Sequence, residues 1–561
     1  MEWTQVYDPT GNQLLSTLIA AVPIVTLLSL LAFFRVKAWW AAMAGVAIAY
    51  VIAVTVYGMP IASAASATAY GCLSGLFPIG WVVFGGMFLY NMSVETGHFQ
   101  IVQRSIASVS VDRRVQALLI AFSFGAFLEG CAGFGAPVAI SAAIMIGLGF
   151  SPLYAAGLAL IANTAPVAFG SLGIPLTTLS SVTGLDLMKL SAMAGRQLSL
   201  VALIIPAWIV VAMSGWRGLK GVWPAALVCG GTFSVVQLVV SNCFGPTVVA
   251  VTAGMMTIVA LVVFTRFWQP AEIWRFPSEK ADKTEAPEGK IKGKLAYSRA
   301  AVIKAWLPWV LLTAFVFTWG MPSVKMFLNG GDEGAPNFLH NISLISVEMP
   351  DLHNRVYRDV PVVPQRDKPE PAIYNFNWLS ATGSGILLAA MISAWFMKIS
   401  RRMFFRIAGS TLHKLRWSLL TIACMLGVGY ITRYSGMDAT LGLAFTRTGV
   451  IYPFFAAILG WLGTAVTGSD TASNALFGSL QRITAEQLHL NPILICTTNS
   501  TGGVVGKMLD AQSIVVSAAA TDQQGTESSI LRFVFWHSIA LVCIMGTIAL
   551  LQAYVFKWMV P

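Results

Sequence analysis

Two acidic residues lie in stretches of the sequence that are otherwise apolar and rich in small residues. Glu129 stands within residues 124–140 and Asp470 within residues 464–479. A charged side chain at the centre of a bilayer costs at least about 2.5 kcal/mol on insertion scales, so an acidic residue there is by default a functional candidate. Because burial favours the protonated form of a carboxyl group, we predict that one or both of Glu129 and Asp470 bind a proton, with Glu129 preferred because its surroundings are more apolar. The alternative is a structural carboxylate that is bonded to the backbone or paired with a cation.

Neutral polar side chains accompany both carboxyl groups. Their hydroxyl and amide groups would suit a ligand that carries a hydroxyl and a carboxylate together. The candidates for this binding role are Asn163, Thr164, Ser469, Thr471, Ser473, Asn474, Asn499, Ser500 and Thr501. Residues of these types also cap helix ends, which is the alternative interpretation.

Two basic residues are candidates for binding an anionic group. Lys507 follows a glycine-rich run and would pair either with a ligand carboxylate or with Asp470 or Asp510. Arg196 lies at the start of an apolar span, where it would orient an incoming anion or extend its charge to the membrane interface.

Glycines surround both carboxyl groups and predict breaks in the helices there. The predicted break positions are Gly130, Gly133, Gly135, Gly468, Gly502 and Gly503. Irregular backbone at membrane depth must face protein or a watery cavity, because its free N–H and C=O groups find no partner in lipid. The half-helix ends that such breaks create carry partial charge and free N–H groups suited to a carboxylate. Close helix packing by small residues is the alternative, although packing alone requires no carboxylate.

The two glycine-rich regions resemble each other. In each, a carboxylate in a small-residue break is followed by a helix and then by an Asn that precedes a Gly by seven positions, as Asn163 precedes Gly170 and Asn499 precedes Gly506. Corresponding interrupted segments in two halves of a chain are typical of secondary transporters. We therefore predict two structural repeats, each with a broken helix or re-entrant hairpin, that meet at a site near the bilayer midplane.

Composition places these residues in a membrane protein. Of 561 residues, 56% are hydrophobic and 11% charged, with a mean hydropathy of +0.72. Apolar runs of about 20 residues, enough to cross the hydrocarbon layer as helix, recur along the chain. The predicted fold class is an all-α polytopic membrane protein with about 12 to 14 transmembrane helices.

Charge distribution predicts the topology. The formal charge of +11 arises from basic residues in short loops, so the positive-inside rule explains it better than nucleic-acid binding does. The N-terminus is then extracytoplasmic, as is an acidic loop over residues 324–376. The predicted divisions are a first membrane half over residues 1–265, a flexible cytoplasmic linker over 266–303, and a second membrane half over 304–561.

Several function classes lack the residues that they need. Seven cysteines show no CxxC spacing, which argues against a zinc site or a disulfide framework. No GxxxxGK[ST] phosphate loop is present, and no histidine accompanies the GSDTASN segment in the manner of a catalytic triad. We expect no metal, no other cofactor and no enzymatic activity.

Five segments carry a family resemblance: FSFGAFLEGCAGFGAPVAI, LIANTAPVAFGSLGIP, AMAGRQL, TRYSGM and VTGSDTASNALFGSLQ. Together they resemble the lactate permease family, and the resemblance extends over nearly the whole chain. It implies a multi-pass protein of the bacterial inner membrane, within the wider ion transporter superfamily, that imports L-lactate, D-lactate and glycolate by proton symport. The implied partners are a small monocarboxylate, protons and the lipid bilayer, with no nucleic acid; the oligomeric state stays open. A sodium-coupled carboxylate carrier or an anion channel of the related superfamily is the alternative.

Overall fold

Long apolar helices make up most of the chain. The computed structural model describes residues 2–32, 34, 36–131, 133, 136–276, 297–332, 335–339, 342–363, 369–521 and 527–561. The helices of the first half are α1 (Gln13–Ala32), α2 (Ala38–Thr55), α3 (Ile61–Ser74), α4 (Trp81–Glu95), α5 (His98–Ala107), α6 (Arg113–Ala117), α7 (Gly125–Cys131), α8 (Ala136–Gly147), α9 (Pro152–Ala162), α10 (Gly170–Thr183), α11 (Leu187–Cys243) and α12 (Val249–Phe267). Those of the second half are α13 (Arg299–Gly320), α14 (Pro322–Leu328), α15 (Thr382–Phe396), α16 (Arg401–Ser435), α17 (Met437–Phe445), α18 (Tyr452–Thr467), α19 (Asp470–Gln487), α20 (Pro492–Gly506), α21 (Ala511–Ala520) and α22 (Glu527–Tyr554).

Short π-helical and 3₁₀ segments join some of these helices. The π-helical segments are Gly75–Gly80 and Leu118–Phe124, and the 3₁₀ segments are Val167–Phe169, Thr446–Ile451, Lys507–Leu509 and Lys557–Met559. The linker predicted over residues 266–303 falls between α12 and α13, and its residues 277–296 lie outside the described residues.

The predicted class, an all-α polytopic membrane protein, is confirmed. Within the described ranges, ten helices are long and apolar enough to cross a membrane, or eleven if the bent pair α9 and α10 counts as one span. The predicted spans 197–214 and 222–240 both lie in α11, whose 57 residues contain non-helical backbone at Gly215 and Val222. The two parts fold back on each other, since Ser191 and Ser234 donate to the carbonyls of Ser241 and Ser199. The apolar helices α8 and α15, of 12 and 15 residues, are too short to be counted.

Each half contains the broken helices that the sequence predicts. In the first, α7 and α8 are separated by residues 132–135, and α9 and α10 meet at an angle of 65°. In the second, α18 and α19 are separated by Gly468 and Ser469, and α20 and α21 by residues 507–510. The Asn-to-Gly spacing does not mark equivalent positions, however, because Asn163 follows the end of α9 whereas Asn499 lies inside α20.

The repeats pack against each other and against α16. Helix α10 contacts α19, α8 contacts α21, and α9 contacts α22, so that the two sequence halves interleave. Helix α16 packs on α2 and α3 and also reaches α19. A boundary between the repeats and the α2–α3–α16 group therefore runs through the protein.

A small polar layer, which we call the cap, covers one end of the helices. It consists of residues 2–11 and the described residues of 321–381. Strand β1 (Trp3–Thr4) pairs with β5 (Val356–Tyr357), β2 (Gly331–Asp332) with β3 (Ala335–Pro336), and β4 (Ile345–Glu348) with β6 (Ile373–Phe376). The N-terminal segment and the predicted outer loop thus lie on one face, as a shared extracytoplasmic location requires.

The basic loops meet at the other end. Arg114 donates to the carbonyl oxygens of Gly218 (3.0 Å) and Glu272 (2.8 Å), which joins three loops predicted to be cytoplasmic. We call this end the basic face. Helix α2 runs from the basic face toward the cap. Tyr57, just after its end, donates to the Thr440 hydroxyl, and Thr440 donates to the carbonyl of Tyr7 in the cap.

Candidate functional site

A cavity of about 390 Å³ lies at the boundary between the two repeats and α16. Its wall contains six of the residues predicted from sequence: Glu129, Gly468, Ser469, Asp470, Thr471 and Lys507. Residues 38 and 39 of α2 and Lys414 of α16 also line it, so it extends toward the basic face.

Glu129 lies in the last turn of α7, beside the break at residues 132–135. The backbone of Gly170 crosses directly over its carboxyl group, and a Cβ atom at Gly170 would overlap Glu129 Oε1. Glu129 Oε2 is buried and has no hydrogen-bond partner among the described residues. Because the C-terminal end of a helix carries partial negative charge, this position gives a carboxylate no help from the backbone.

Asn163 lies beside Glu129 and its side chain interacts with the carboxyl group, although no contact between them reaches full hydrogen-bond geometry. Both of its amide atoms, Nδ2 and Oδ1, are buried and lack partners in the described part of the chain. Buried polar side chains are nearly always hydrogen-bonded. Three unpaired polar atoms next to a cavity are therefore a feature of a site that takes up a ligand, water or a proton.

Asp470 is the first residue of α19 and owes its position to the turn before it. Gly468 has a left-handed φ of 73°, which a residue with a side chain rarely adopts. Ser469 then caps the helix by accepting from the N–H of Ala472 (3.3 Å). Asp470 accepts a hydrogen bond from the Ser500 hydroxyl at 2.6 Å. Since a helix N-terminus carries partial positive charge, the backbone here stabilises a carboxylate.

Lys507 provides a positive charge close to both carboxyl groups of the site. It follows the last residue of α20, and its ammonium group donates to the carbonyl of Gly468 and to Asp510 at 3.0 Å. It also interacts electrostatically with both Glu129 and Asp470. Of the partners that the sequence offered for Lys507, the structure shows Asp510. The ammonium group still lines the cavity while it is paired in this way.

Behind Asp470, amide and hydroxyl side chains form one buried chain of hydrogen bonds. Ser500 accepts from Asn474 (3.1 Å), which accepts from Asn499 (2.9 Å). Asn499 accepts from Gln481 (3.2 Å), and Gln481 accepts from Tyr452 (2.7 Å). These groups hold the Asp470 side chain in place and do not line the cavity. Ser473 belongs to the same layer and donates to the carbonyl of Gly460 (3.1 Å).

Three predicted binding residues lie away from the cavity. Thr164, just after the end of α9, donates to the carbonyl of Ile161 in the last turn of that helix. Thr501 donates to Gln197 at 2.6 Å, in a buried polar pair between α20 and α11. Arg196 binds Asn242 and the carbonyl of Met559, which ties α11 to the C-terminal segment.

The predicted helix-break glycines divide into two kinds. Gly133 and Gly468 lie in breaks, and Gly130 is the residue before the end of α7; Gly135 lies outside the described residues. Gly502 and Gly503 are inside the continuous helix α20, so their prediction as break positions is wrong. A Cβ atom at Gly503 would overlap Asp470 Oδ1, and one at Gly502 would overlap the carbonyl oxygen of Ala457. At Gly502 and Gly503 a neighbouring backbone or side chain occupies the position that a Cβ atom would take, so only glycine fits.

One side of the cavity, formed by α2 and α16, was not predicted from the sequence. Trp39 and Trp417 stack there with ring centroids 4.4 Å apart, and Lys414 lines the wall beside them. Ser171, in the left-handed turn that starts α10, also faces the cavity. The positive-inside rule accounts for the basic residues in the first half of α16, and nothing in their local pattern indicates contact with the repeats.

Chemically, this arrangement suits a small organic anion that carries a hydroxyl group. It presents two carboxyl groups, the ammonium groups of Lys507 and Lys414, and the hydroxyls of Ser469, Thr471 and Ser171 to one cavity. Across the described residues, no group of three or more His, Cys, Asp or Glu side chains is placed to hold a metal ion.

The chain is similar to known membrane transporters over its full length. A family model described as L-lactate permease matches residues 16–556. The L-lactate permease of Bacillus subtilis is 44% identical, with 100% of both chains aligned. The glycolate permease GlcA of Escherichia coli is 43% identical over 99% of both chains. Among solved structures, the YdaH transporter of Alcanivorax borkumensis aligns with 88% of this chain and 89% of that chain, at 13% identity and a TM-score of 0.44.

Proposed function

The chain belongs to the L-lactate permease family, and from this premise we propose that it imports L-lactate, D-lactate and glycolate together with protons. Its relatives are permeases rather than enzymes, and the chain is accordingly a multi-pass transporter. We further propose that the protein lies in the bacterial inner membrane and that its cap faces away from the cytoplasm.

The contrast between the two carboxyl groups supports proton coupling. Asp470 has a helix N-terminus and the Ser500 hydroxyl to stabilise its negative charge. Glu129 lies at a helix C-terminus, with Oε2 unpaired within the described chain. The observation that carries the proposal is this unpaired, buried carboxyl oxygen at the cavity. We assign the transported proton to Glu129.

Charge balance explains why a proton accompanies the substrate. A monocarboxylate that enters the cavity adds one negative charge to a site that already holds two carboxyl groups and Lys507. A proton on Glu129 cancels the added charge, so the loaded cavity crosses the membrane with the net charge of the empty one. The substrate carboxylate binds near Lys507, and its hydroxyl is within the reach of Ser469, Thr471 and Ser171.

Uptake into proteoliposomes tests the proposal. The purified protein is reconstituted, an inward proton gradient is imposed without sodium, and accumulation of labelled L-lactate is measured. We expect accumulation above equilibrium that a protonophore abolishes and that D-lactate and glycolate inhibit. Uptake that appears only with sodium, or that never exceeds equilibrium, would replace the symporter by a sodium-coupled carrier or a channel.

A further inference from the structure

The segment TRYSGM, residues 432–437, ends α16 outside the cavity and contains a buried arginine. The Arg433 side chain is 14% exposed and lies 3.0 Å from one carboxylate oxygen of Glu370 in the cap. Arg358 approaches the other oxygen at 2.8 Å. One cap carboxylate is therefore held between two arginines. Arg433 Nε, also buried, has no hydrogen-bond partner in the described part of the protein.

This arginine cluster also joins the helix that reaches the cavity. Arg433 donates to the carbonyl of Val182 at 3.3 Å, and Arg482 donates to that of Thr183. Both carbonyls belong to the last turn of α10, whose first turns line the cavity at residues 170–175. The cluster and the cavity thus lie at opposite ends of one helix.

Distances along the helices place the cluster on the cap side of the cavity. Arg433 follows the cavity residue Met425 by eight positions, which is about 12 Å of helix. Between the two levels stands Tyr430, whose hydroxyl is 3.4 Å from the carbonyl of Ser181 and whose ring meets the edge of Tyr70 at 4.7 Å. The path from cap to cavity is closed by this pair of tyrosines and, above them, by Glu370.

We propose that Arg433 and Arg358 form the outer binding site for the carboxylate of the transported acid, and that Glu370 occupies this site while the cap is closed. This inference rests on the proposed carboxylate transport. A guanidinium group binds any carboxylate through the same pair of N–H donors, so the substrate replaces Glu370 without leaving a buried arginine unpaired. Release of Glu370 breaks the ion pair between the cap loop and α16, which opens the path toward Tyr430.

The test compares the Michaelis constant for external L-lactate among variants in right-side-out vesicles. In the Glu370→Gln variant the competing carboxylate is gone, and we expect KM to fall about three- to tenfold with little change in the maximal rate. In the Arg433→Gln variant the binding group is gone, and KM should rise at least tenfold, with Arg433→Lys in between. A pair that only holds the fold together would shift both variants in the same direction.

A matched control exists on the same loop. Asp351→Asn removes the exposed ion pair with Arg355, whose side chains are 45% and 47% exposed, and should leave KM unchanged. If Arg433→Gln does not fold, Arg433→Lys and Glu370→Gln still decide, because they are expected to move KM in opposite directions. Equal shifts in one direction, or an unchanged KM in the arginine variants, would overturn the inference. Absence of uptake by the unmodified protein would instead remove the proposed function itself.

Discussion

The two carboxyl groups of the cavity differ in what the backbone offers them. Asp470 begins α19, where free N–H groups and the Ser500 hydroxyl accommodate a negative charge. Glu129 ends α7, where the nearby backbone groups are carbonyls and Oε2 has no partner among the described atoms. The first environment therefore stabilises a carboxylate more than the second does.

Replacement of Glu129 by Gln mimics the protonated form permanently. We expect Glu129→Gln to exchange labelled lactate across the membrane without accumulating it, because the site binds substrate but cannot release a proton. Asp470→Asn should lower exchange as well as accumulation, since it disturbs binding. Exchange and gradient-driven uptake are measured on the same proteoliposomes. Normal accumulation by Glu129→Gln would show that this residue does not carry the proton.

Lys507 has a structural and a binding role that a pair of variants separates. Lys507→Ala leaves Asp510, whose side chain is 3% exposed, without its cation, and loss of one partner of a buried ion pair costs about 3–5 kcal/mol. We expect that variant to have a markedly lower melting temperature in detergent. The double variant Lys507→Ala/Asp510→Asn should recover most of the stability and still bind L-lactate at least tenfold more weakly.

The control for this effect is Asp510→Asn alone, which keeps the ammonium group at the cavity and should keep substrate affinity. If the double variant binds substrate as tightly as the unmodified protein, then Lys507 serves only to pair with Asp510.

The residue types predicted the carboxyl groups and Lys507 of the site, but not the wall formed by α2 and α16. A carboxylate inside a small-residue stretch is a local signal, so Glu129, Asp470 and Lys507 were found. Trp39, Lys414 and Trp417 approach the cavity from helices distant in sequence, and their local surroundings are those of an ordinary membrane-surface loop. Likewise, the amide groups of Asn474 and Asn499 were identified as polar, but only tertiary packing shows that they bond to each other rather than to a ligand.

At the level of elements, glycines in α20 determine how closely it approaches its neighbours. Gly503→Ala would place a methyl group on Asp470 Oδ1, so the carboxylate or the helix must shift. We expect a loss of stability of about 1–3 kcal/mol and a loss of most uptake activity. Melting temperature and initial uptake rate are the measurements.

Gly409→Ala is the matched control in another long helix, α16. No atom lies within 4 Å of the Cβ position there, so the added methyl group should raise stability by about 0.4–1 kcal/mol and leave uptake unchanged. Equal behaviour of the two variants would mean that Gly503 does not position Asp470.

The broken helices were predicted correctly because a carboxylate and left-handed glycines interrupt otherwise apolar runs. The glycines of α20 were interpreted wrongly because sequence does not distinguish a glycine that permits a turn from one that permits close approach. The predicted division between the spans 197–214 and 222–240 agrees with the structure, because non-helical backbone at Gly215 and Val222 interrupts α11 there.

For the molecule as a whole, the cap is held by ionised groups, and its stability should depend on pH. Burial alone would raise the pKa of Glu370, but Arg358 and Arg433 outweigh burial and hold the pKa below the usual glutamate value of 4.5. Because the folded pKa is lower than the unfolded one, the stabilisation is present above about pH 4.5 and is lost as pH falls through the folded value. Arg482 faces the same carboxylate and adds to the effect.

We therefore expect the melting temperature to decrease below about pH 4.5, and Glu370→Gln to remove that part of the decrease while lowering stability at pH 7. Thermal unfolding in detergent between pH 3 and 7 measures both. An identical acid profile in the variant would show that another group controls the acid stability of the cap.

Helices α18 and α20 touch backbone to backbone. A Cβ atom at Gly460 would overlap the carbonyl oxygen of Asn499, and one at Gly506 would overlap that of Trp461. Since no side chain lies between the two helices at these points, no change of rotamer can let one slide past the other. We therefore expect the two helices, with α19 and Asp470 between them, to move as a rigid body when access to the cavity switches sides. Gly449, with its left-handed φ of 58° just before α18, is the hinge that we expect for this movement.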